Sequence, residues 1–328
     1  MTPPTSSLRD HYDVVIVGGG AAGLSAAVTL SRALRSVLVI DAGNPRNAPA
    51  AAVHGFLSRE GMDPLALLDA GRAEAESYGA MILHGEVAAV GQSGDAFDVT
   101  LADGRRSSGR RLLVTTGLVD GMPAIPGLAE QWGKGVIHCP YCHGYEVRGQ
   151  RIGVLGTGPM SIHQAMLFRQ WSADITLFLN GTVTPTNEEW EWLSARSIRV
   201  MDGAVVSVDA SDGVLTGITL EGGTRYELHA LAIGTRMEAR AGLLESLGLP
   251  LQEHPWGIGH LIEAGPMGST AVRGVYVAGN VSNLSAQVIV AAAEGTIAGA
   301  GITMSLVEEE TALAVQGGRT GPDSLVDS

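Results

Sequence analysis

Cysteine is nearly absent: of 328 residues only two are Cys, and both fall in the stretch His138-Cys139-Pro140-Tyr141-Cys142-His143-Gly144-Tyr145-Glu146. A disulfide-stapled scaffold is thereby excluded, because such frameworks spread several pairs along a short chain. Lysine is almost missing as well, with Lys134 the sole example, and the formal charge is -13 at pH 7. No basic block offsets that charge, so neither nucleic acid nor an anionic membrane is expected as a partner. Aromatics make up 5% of the chain whereas glycine occurs 45 times, a balance that suits an α/β protein with many tight strand-to-helix turns. Met1 to Asp10 lacks the basic start and apolar centre of a signal peptide and reads as a frayed arm of a cytoplasmic protein. Long apolar runs are also missing. Even Val14-Val15-Ile16-Val17 is stopped at once by Gly18-Gly19-Gly20, so no bilayer-crossing segment is expected.

The paired cysteines carry the clearest chemistry. Two thiols separated by two residues can close a small disulfide ring, and one of them often has a lowered pKa that lets it attack other disulfides. Three other readings stay open at this level. CxxCH spells a c-type haem attachment site, but that chemistry belongs to exported proteins. Zinc wants four ligands, and no second CxxC or close His pair completes a tetrahedron, so no metal is expected. The pair could also be two inert buried thiols.

Along the chain, Tyr12 to Val17 is a β-branched run followed by Gly18-Gly19-Gly20-Ala21-Ala22-Gly23 and an Ala/Leu-rich helix to about Leu34. In such a strand, turn and helix, Gly18 permits the tight turn and Gly20 lets a pyrophosphate sit against the helix N-terminus. Gly23 lets helix and strand pack closely. A second strand, Ser36 to Ile40, delivers Asp41, whose carboxylate can accept from ribose hydroxyls. Asn44 to Phe56 is an irregular loop with Arg46, Asn47 and His54, placed to fold over a bound ligand. Pro64 to Tyr78 has helical spacing with Asp63 as its cap. Short strands follow at Met81 to Leu83, Glu86 to Val90, Ala96 to Leu101 and Arg111 to Thr115, with an Asp103-Gly104 turn between the last two.

A second nucleotide-type unit begins after the thiols. Arg151 to Leu155 is an apolar strand, then come Gly156-Thr157-Gly158-Pro159-Met160-Ser161 and a helix to about Trp171. Its third glycine is Ser161, and its second strand, Asp174 to Leu179, ends in Asn180-Gly181, with no Arg or Lys for a 2′-phosphate and no acid for a ribose. Binding of NADPH is accordingly in doubt. Glu188 to Ala195 is expected to be helical, and Val200 to Val208, Leu215 to Leu220, Arg225 to His229 and Ala230 to Gly234 to be strands. Gly274 to Asn280 reads as a strand, Ser285-Ala286-Gln287 opens a small-residue helix through Ala300, and Thr311 to Ser328 reads as a mobile tail.

The order GxGxxG, terminal acid, Thr115-Thr116-Gly117, CxxC, second GxGxx and Ala286-Gln287 helix resembles the low-molecular-weight thioredoxin reductases over nearly the whole chain. Three departures move the resemblance within that family: His143 stands where an acid is usual, the basic motif after the second nucleotide strand is missing, and Asn280 replaces the usual Asp. Cys-Pro-Tyr-Cys-His-Gly-Tyr-Glu with a weakened NADPH site is most similar to the FAD-dependent dithiol oxidases that close the disulfides of holomycin- and gliotoxin-type natural products.

That resemblance implies an α/β fold of two Rossmann-like domains. Residues 1–117 with 240–310 would bind FAD, 118–239 would form an NAD(P)H-like domain carrying the thiols, and 311–328 a flexible tail. It implies FAD contacts from Gly18, Gly20, Ala21, Ala22, Gly23, Asp41 and Ala42, and from the loop residues Arg46, Asn47 and His54. Val87, Thr116, Gly117, Gly279, Asn280, Ala286, Gln287 and Val288 complete that set. Cys142 would be the flavin-proximal thiol, Cys139 the exchange thiol and His143 the acid-base partner. A small-molecule dithiol and dioxygen are the implied co-reactants and a homodimer the implied assembly. An NADPH-dependent disulfide reductase remains the alternative, with a non-catalytic flavin redox sensor behind it.

Overall fold

The computed structural model describes residues 8–319. Strand β1 (His11–Val17) alternates its side chains between two buried faces: Val14 and Ile16 point to one apolar cluster, Val15 and Val17 to another. Both faces must therefore be covered, which is the condition for a parallel sheet. Helix α1 (Ala21–Arg32), strand β2 (Val37–Asp41), helix α2 (Pro64–Ser77) and strand β3 (Met81–His84) follow, and β3, β2 and β1 pair in parallel. The Asp63 carboxylate caps α2 by accepting from the Leu65 and Ala66 amides, as its position predicts.

Strands β4 (Val87–Ser93) and β5 (Ala96–Leu101) form a hairpin that runs into β6 (Arg106–Val114). The expected strand of Arg111 to Thr115 is thus only half of β6. Its residues Arg106 to Gly109 pair antiparallel with β5, while Ser108 to Val114 pair parallel with β1. Its C-terminal residues Leu112, Leu113 and Val114 also pair with β19 (Val275–Val277), introduced last in the chain. One strand therefore joins the hairpin to the parallel sheet. The expected frayed arm is corrected in part, because Leu8 packs on the core and Asp10 O accepts from the Ser108 amide; Met1 to Ser7 lie outside the described residues.

After Gly117 the chain runs through β7 (Leu118–Gly121) and β8 (Val136–Ile137) into the short helix α3 (Pro140–His143). A second parallel sheet is then built from β9 (Ile152–Leu155), helix α4 (Met160–Phe168), β10 (Ile175–Phe178), helix α5 (Asn187–Ala195) and β11 (Arg199–Met201). The strands β12 (Val205–Ser211), β13 (Val214–Leu220) and β14 (Arg225–Glu227) make a small antiparallel sheet, and β15 (Ala230–Ile233) returns to the parallel one, ordered β11-β10-β9-β15-β8. The single strand expected from Val200 to Val208 is corrected: Gly203, at φ +105°, turns the chain so that β11 and β12 lie in different sheets.

The two segments linking the sheets pair with each other. Strand β16 (Arg236–Ala239) runs antiparallel to β7, and β17 (Gln252–Glu253) and β18 (Gly259–Leu261) extend that pair to four strands. Helix α6 (Val288–Arg319) closes the fold over α1, burying Ala298, Ile302 and Leu306. It corrects two expectations. The helix runs well past Ala300, and Thr311 to Arg319 belong to it, while 320–328 lie outside the described residues. Its residues Val288–Gly317 are long and apolar enough to cross a membrane by length and composition alone, with mean hydropathy 1.4. Here Glu309 and Glu310 anchor the helix instead. Glu309 meets Arg110 at 2.7 Å and Arg111 at 2.6 Å, and Glu310 meets Arg35 at 2.6 Å.

Candidate active site

The turn between β1 and α1 makes the floor of a cavity of about 480 Å³, a size suited to a cofactor and lined mostly by apolar groups with a few polar ones. Gly18, Gly20, Ala21 and Ala22 all line it. Gly18 has φ +107°, and a Cβ there would strike the Thr115 carbonyl. Above Gly20 the space is open, and no side chain caps α1, so the free amides of its first turn face the cavity. Asp41 and Ala42 stand beside them, with the Gly19 amide donating to Asp41 Oδ1 at 3.0 Å. These residues fit a dinucleotide: unsatisfied amides for a pyrophosphate and a carboxylate at the strand end for a ribose.

Gly23 is the one expected contact residue that does not line the cavity. A Cβ there would lie 2.0 Å from Gly18 O, so its role is the close helix-to-strand approach.

The remaining expected residues gather around the same space. Val87, Thr116 and Gly117 line one wall, Arg46, Asn47 and His54 come from the loop after β2, and Gly279, Asn280, Ala286, Gln287 and Val288 lead into α6. Cys139, Cys142 and His143 close the far end. Several of these side chains are committed to the protein, Thr116 to Arg240 O and His54 to Glu60 among them. Arg46 donates to both oxygens of Asp120 on β7 at 2.6 and 2.7 Å, and Asn280 Nδ2 donates to the carbonyls of Asn283, Leu284 and Ala286. Asn280 is an amide because a carboxylate would repel three carbonyls. Sequence reasoning missed Arg72, 3.8 Å from Asp41, and His138, which both line the cavity. It also missed Glu294, which accepts from the Gly279 amide at 2.9 Å. Arg72 sits in an ordinary (i, i+3) pair with Asp69 and gives no sequence signal.

The thiols sit at the start of α3, with Cys142 Sγ 2.6 Å from Cys139 Sγ. Hydrogen bonding from the Cys142 thiol lowers the Cys139 pKa to about 7; burial opposes this, and the Cys142 and Tyr141 amides and the Gln287 side chain add to it. Cys142 is pushed well up because it is the donor in that pair, is buried, and faces the Cys139 charge. His143 is lowered by burial despite the nearby Glu146, and its Nδ1 is buried without a hydrogen-bond partner among the described residues. Gly144 follows because any Cβ would strike Pro140 O and the Trp171 ring. Among the described residues no group of three or more His, Cys, Asp or Glu could hold a metal ion.

A dinucleotide cradle and a vicinal thiol pair opening into one cavity constitute a disulfide redox site. The chain matches the pyridine nucleotide-disulphide oxidoreductases over residues 12–295. It belongs to that family. Within these oxidoreductases it is 33% identical over 304 residues to the thioredoxin reductase tcpT of Claviceps purpurea, covering 89% of this chain and 94% of the relative. The crystal structure of HlmI superposes with a TM-score of 0.89 at 42% identity, covering 95% of this chain and 98% of that one. An oxidoreductase from Agrobacterium tumefaciens gives a TM-score of 0.85 at 35% identity, covering 90% and 99%. The protein is therefore a thioredoxin reductase-like oxidoreductase with two Rossmann-like folds, of a family that uses a flavin.

Proposed function

We propose that the protein is an FAD-dependent dithiol oxidase that closes an intramolecular disulfide in a small-molecule dithiol, in natural-product biosynthesis or self-protection. The FAD-binding half would comprise 1–117 with 240–310, and 118–239 the half that carries the thiols. The observation that carries the reading is the contrast between the two glycine turns. In the second, Ser161 Oγ accepts from the Thr157 amide at 3.0 Å, and Asn180 bridges Gly156 O and the Val205 amide at 3.1 and 2.8 Å. Pro159 at the α4 N-cap lacks an N–H. In the second turn the Thr157 amide is thus spent and Pro159 offers none, and no acid or base follows its second strand, whereas in the first turn Asp41 stands beside the uncapped amides of α1.

In the reaction so read, a substrate thiol gives its proton to His143 and its sulfur attacks Cys139, breaking the Cys139–Cys142 disulfide. Cys142 leaves as a thiolate; with Cys139 tied in the mixed disulfide, the interaction that raised the Cys142 pKa is gone. The second substrate thiol then attacks the sulfur held on Cys139, closing the substrate disulfide and leaving both protein thiols reduced. Bound FAD would supply the acceptor for the pair's two electrons and pass them to dioxygen, giving hydrogen peroxide. The low pKa of Cys139 suits it to re-form the bond with Cys142.

A homodimer is proposed through α6. Its exposed residues Val290, Ile297 and Met304 recur every seventh position, with Val307 beside them, an apolar seam that a second copy of the same helix can fill.

The reading is tested by following flavin absorbance anaerobically with NADPH in one cuvette and dithiothreitol in another. Bleaching by the dithiol alone, with peroxide formed when air enters, is the expected result. Rapid bleaching by NADPH would make the protein a conventional reductase, the reading favoured by the name of its Claviceps relative.

A further inference from the structure

Resting on the dithiol oxidase reading, we infer that His54, gripped by Glu60 and facing Glu146, carries the substrate thiol proton from His143 to solvent. The geometry begins with a closed loop. Val53 and Met62 form an antiparallel bridge, with the Val53 amide donating to Met62 O at 2.8 Å and the Gly61 amide to Val53 O at 3.0 Å. Inside that loop His54 Nδ1 lies 2.6 Å from Glu60 Oε1, and Glu60 Oε2 accepts from the Gly55 amide at 2.9 Å. A carboxylate only accepts, so the shared proton rides on Nδ1 and the Nε2 lone pair is left free. Nε2 points to the thiol-bearing segment, 3.6 Å from Glu146 Oε1.

The arrangement has a direction. His143 and His54 line one cavity with Cys142, and burial disfavours charge on His143, so a proton taken from substrate is held there only weakly. A proton arriving at Nε2 makes His54 an imidazolium between two carboxylates, Glu146 on the Nε2 side and Glu60 on the Nδ1 side, so that the Nδ1 proton can leave through Glu60. Glu60 is two-thirds exposed and passes the Nδ1 proton to water. The titratable groups facing His54 are Glu60 on its own loop and Glu146 and His143 on the segment across from it, with Cys142 lining the same cavity; from α6 the Gln287 side chain approaches Gly55 and is neutral. The step balances simply: one S–H bond breaks as the substrate sulfur attacks Cys139, and its proton passes from His143 to His54 to water, with no electron moving along this path.

The test is single-turnover flavin bleaching by dithiothreitol, across pH, in wild type, His54→Ala and Glu60→Gln. General acid-base steps contribute at least ~10²-fold, so His54→Ala should slow bleaching by about that factor and Glu60→Gln by about tenfold. Added imidazole should restore His54→Ala without affecting wild type. Wild-type rate and pH profile in His54→Ala, or a slow variant that imidazole leaves slow, would overturn the relay. Should wild type bleach only with NADPH, the oxidase reading falls. The relay is then read from the same variants reducing 5,5′-dithiobis(2-nitrobenzoate) with NADPH, where the nitrothiobenzoates leave as thiolates and the second protein thiol must give up its proton, so the same slowing and rescue are expected; their absence sinks it.

Discussion

Asp120 accepts both branches of the Arg46 guanidinium while Thr235 Oγ1 donates to its Oδ1 at 2.6 Å. This carboxylate ties the loop over the cavity to strand β7 and to the residue just before β16, which are the two segments linking the parallel sheets. Burial raises its pKa, but Arg46 and Thr235 outweigh burial and hold it below the ordinary 3.8.

Replacing Asp120 by Asn should therefore destabilise the protein by about 2 kcal/mol at neutral pH, the scale of a lost charge-assisted hydrogen bond. The sign with pH follows from the depressed folded value: the contribution is present above the unfolded pKa and is lost as pH falls through the folded one. Urea unfolding should show the gap between wild type and Asp120→Asn narrowing as pH drops below 3.8.

Cys139 should be the thiol that alkylates first. In reduced protein, iodoacetamide labelling followed by peptide mass spectrometry should give a pH profile for Cys139 with its midpoint near 7. Cys142→Ala removes the principal donor and should move that midpoint upward. Preferential labelling of Cys142 in wild type would contradict the assignment.

Asn280→Asp places a negative charge among three carbonyl oxygens. A loss of about 2 kcal/mol is expected from the repelled and unpaired buried groups, read as a lower Tm, together with faster flavin loss on dilution. Asn280→Ser, which keeps one donor, should fall between the two.

Ile297→Asp combined with Met304→Asp should yield monomers by light scattering. Both side chains are half exposed in the single chain, at 50% and 54%, so the fold itself should survive. An unchanged mass would remove α6 from the assembly.

The local parts of the site were legible because their chemistry is written in neighbouring residues. Gly18, Gly20 and Gly23 with Asp41 announce a dinucleotide turn, and Cys139 with Cys142 announces redox exchange. What escaped reading depends on partners far apart in sequence. The acidic run at Glu308 to Glu310 looks like a solvated tail until Arg35, Arg110 and Arg111 are seen to meet Glu309 and Glu310. Arg106 to Arg110 looks too polar for a sheet interior, yet β5 and β1 pair with it from either side. The Arg46–Asp120 pair spans 74 positions, and the contact of His54 with Glu146 gives no pattern in the sequence.

Strand β6 also sets an order of events on the ribosome. Its C-terminal half needs β19, which emerges only after the second parallel sheet has been completed by β15. The nascent chain must therefore hold the Leu112 to Val114 edge of β6 open while the later sheet assembles. Translation past Val277 supplies the missing neighbour, and α6 then seals the outer face. A chain stopped short of Val275 would retain the second parallel sheet and an exposed, aggregation-prone edge at Leu112 to Val114.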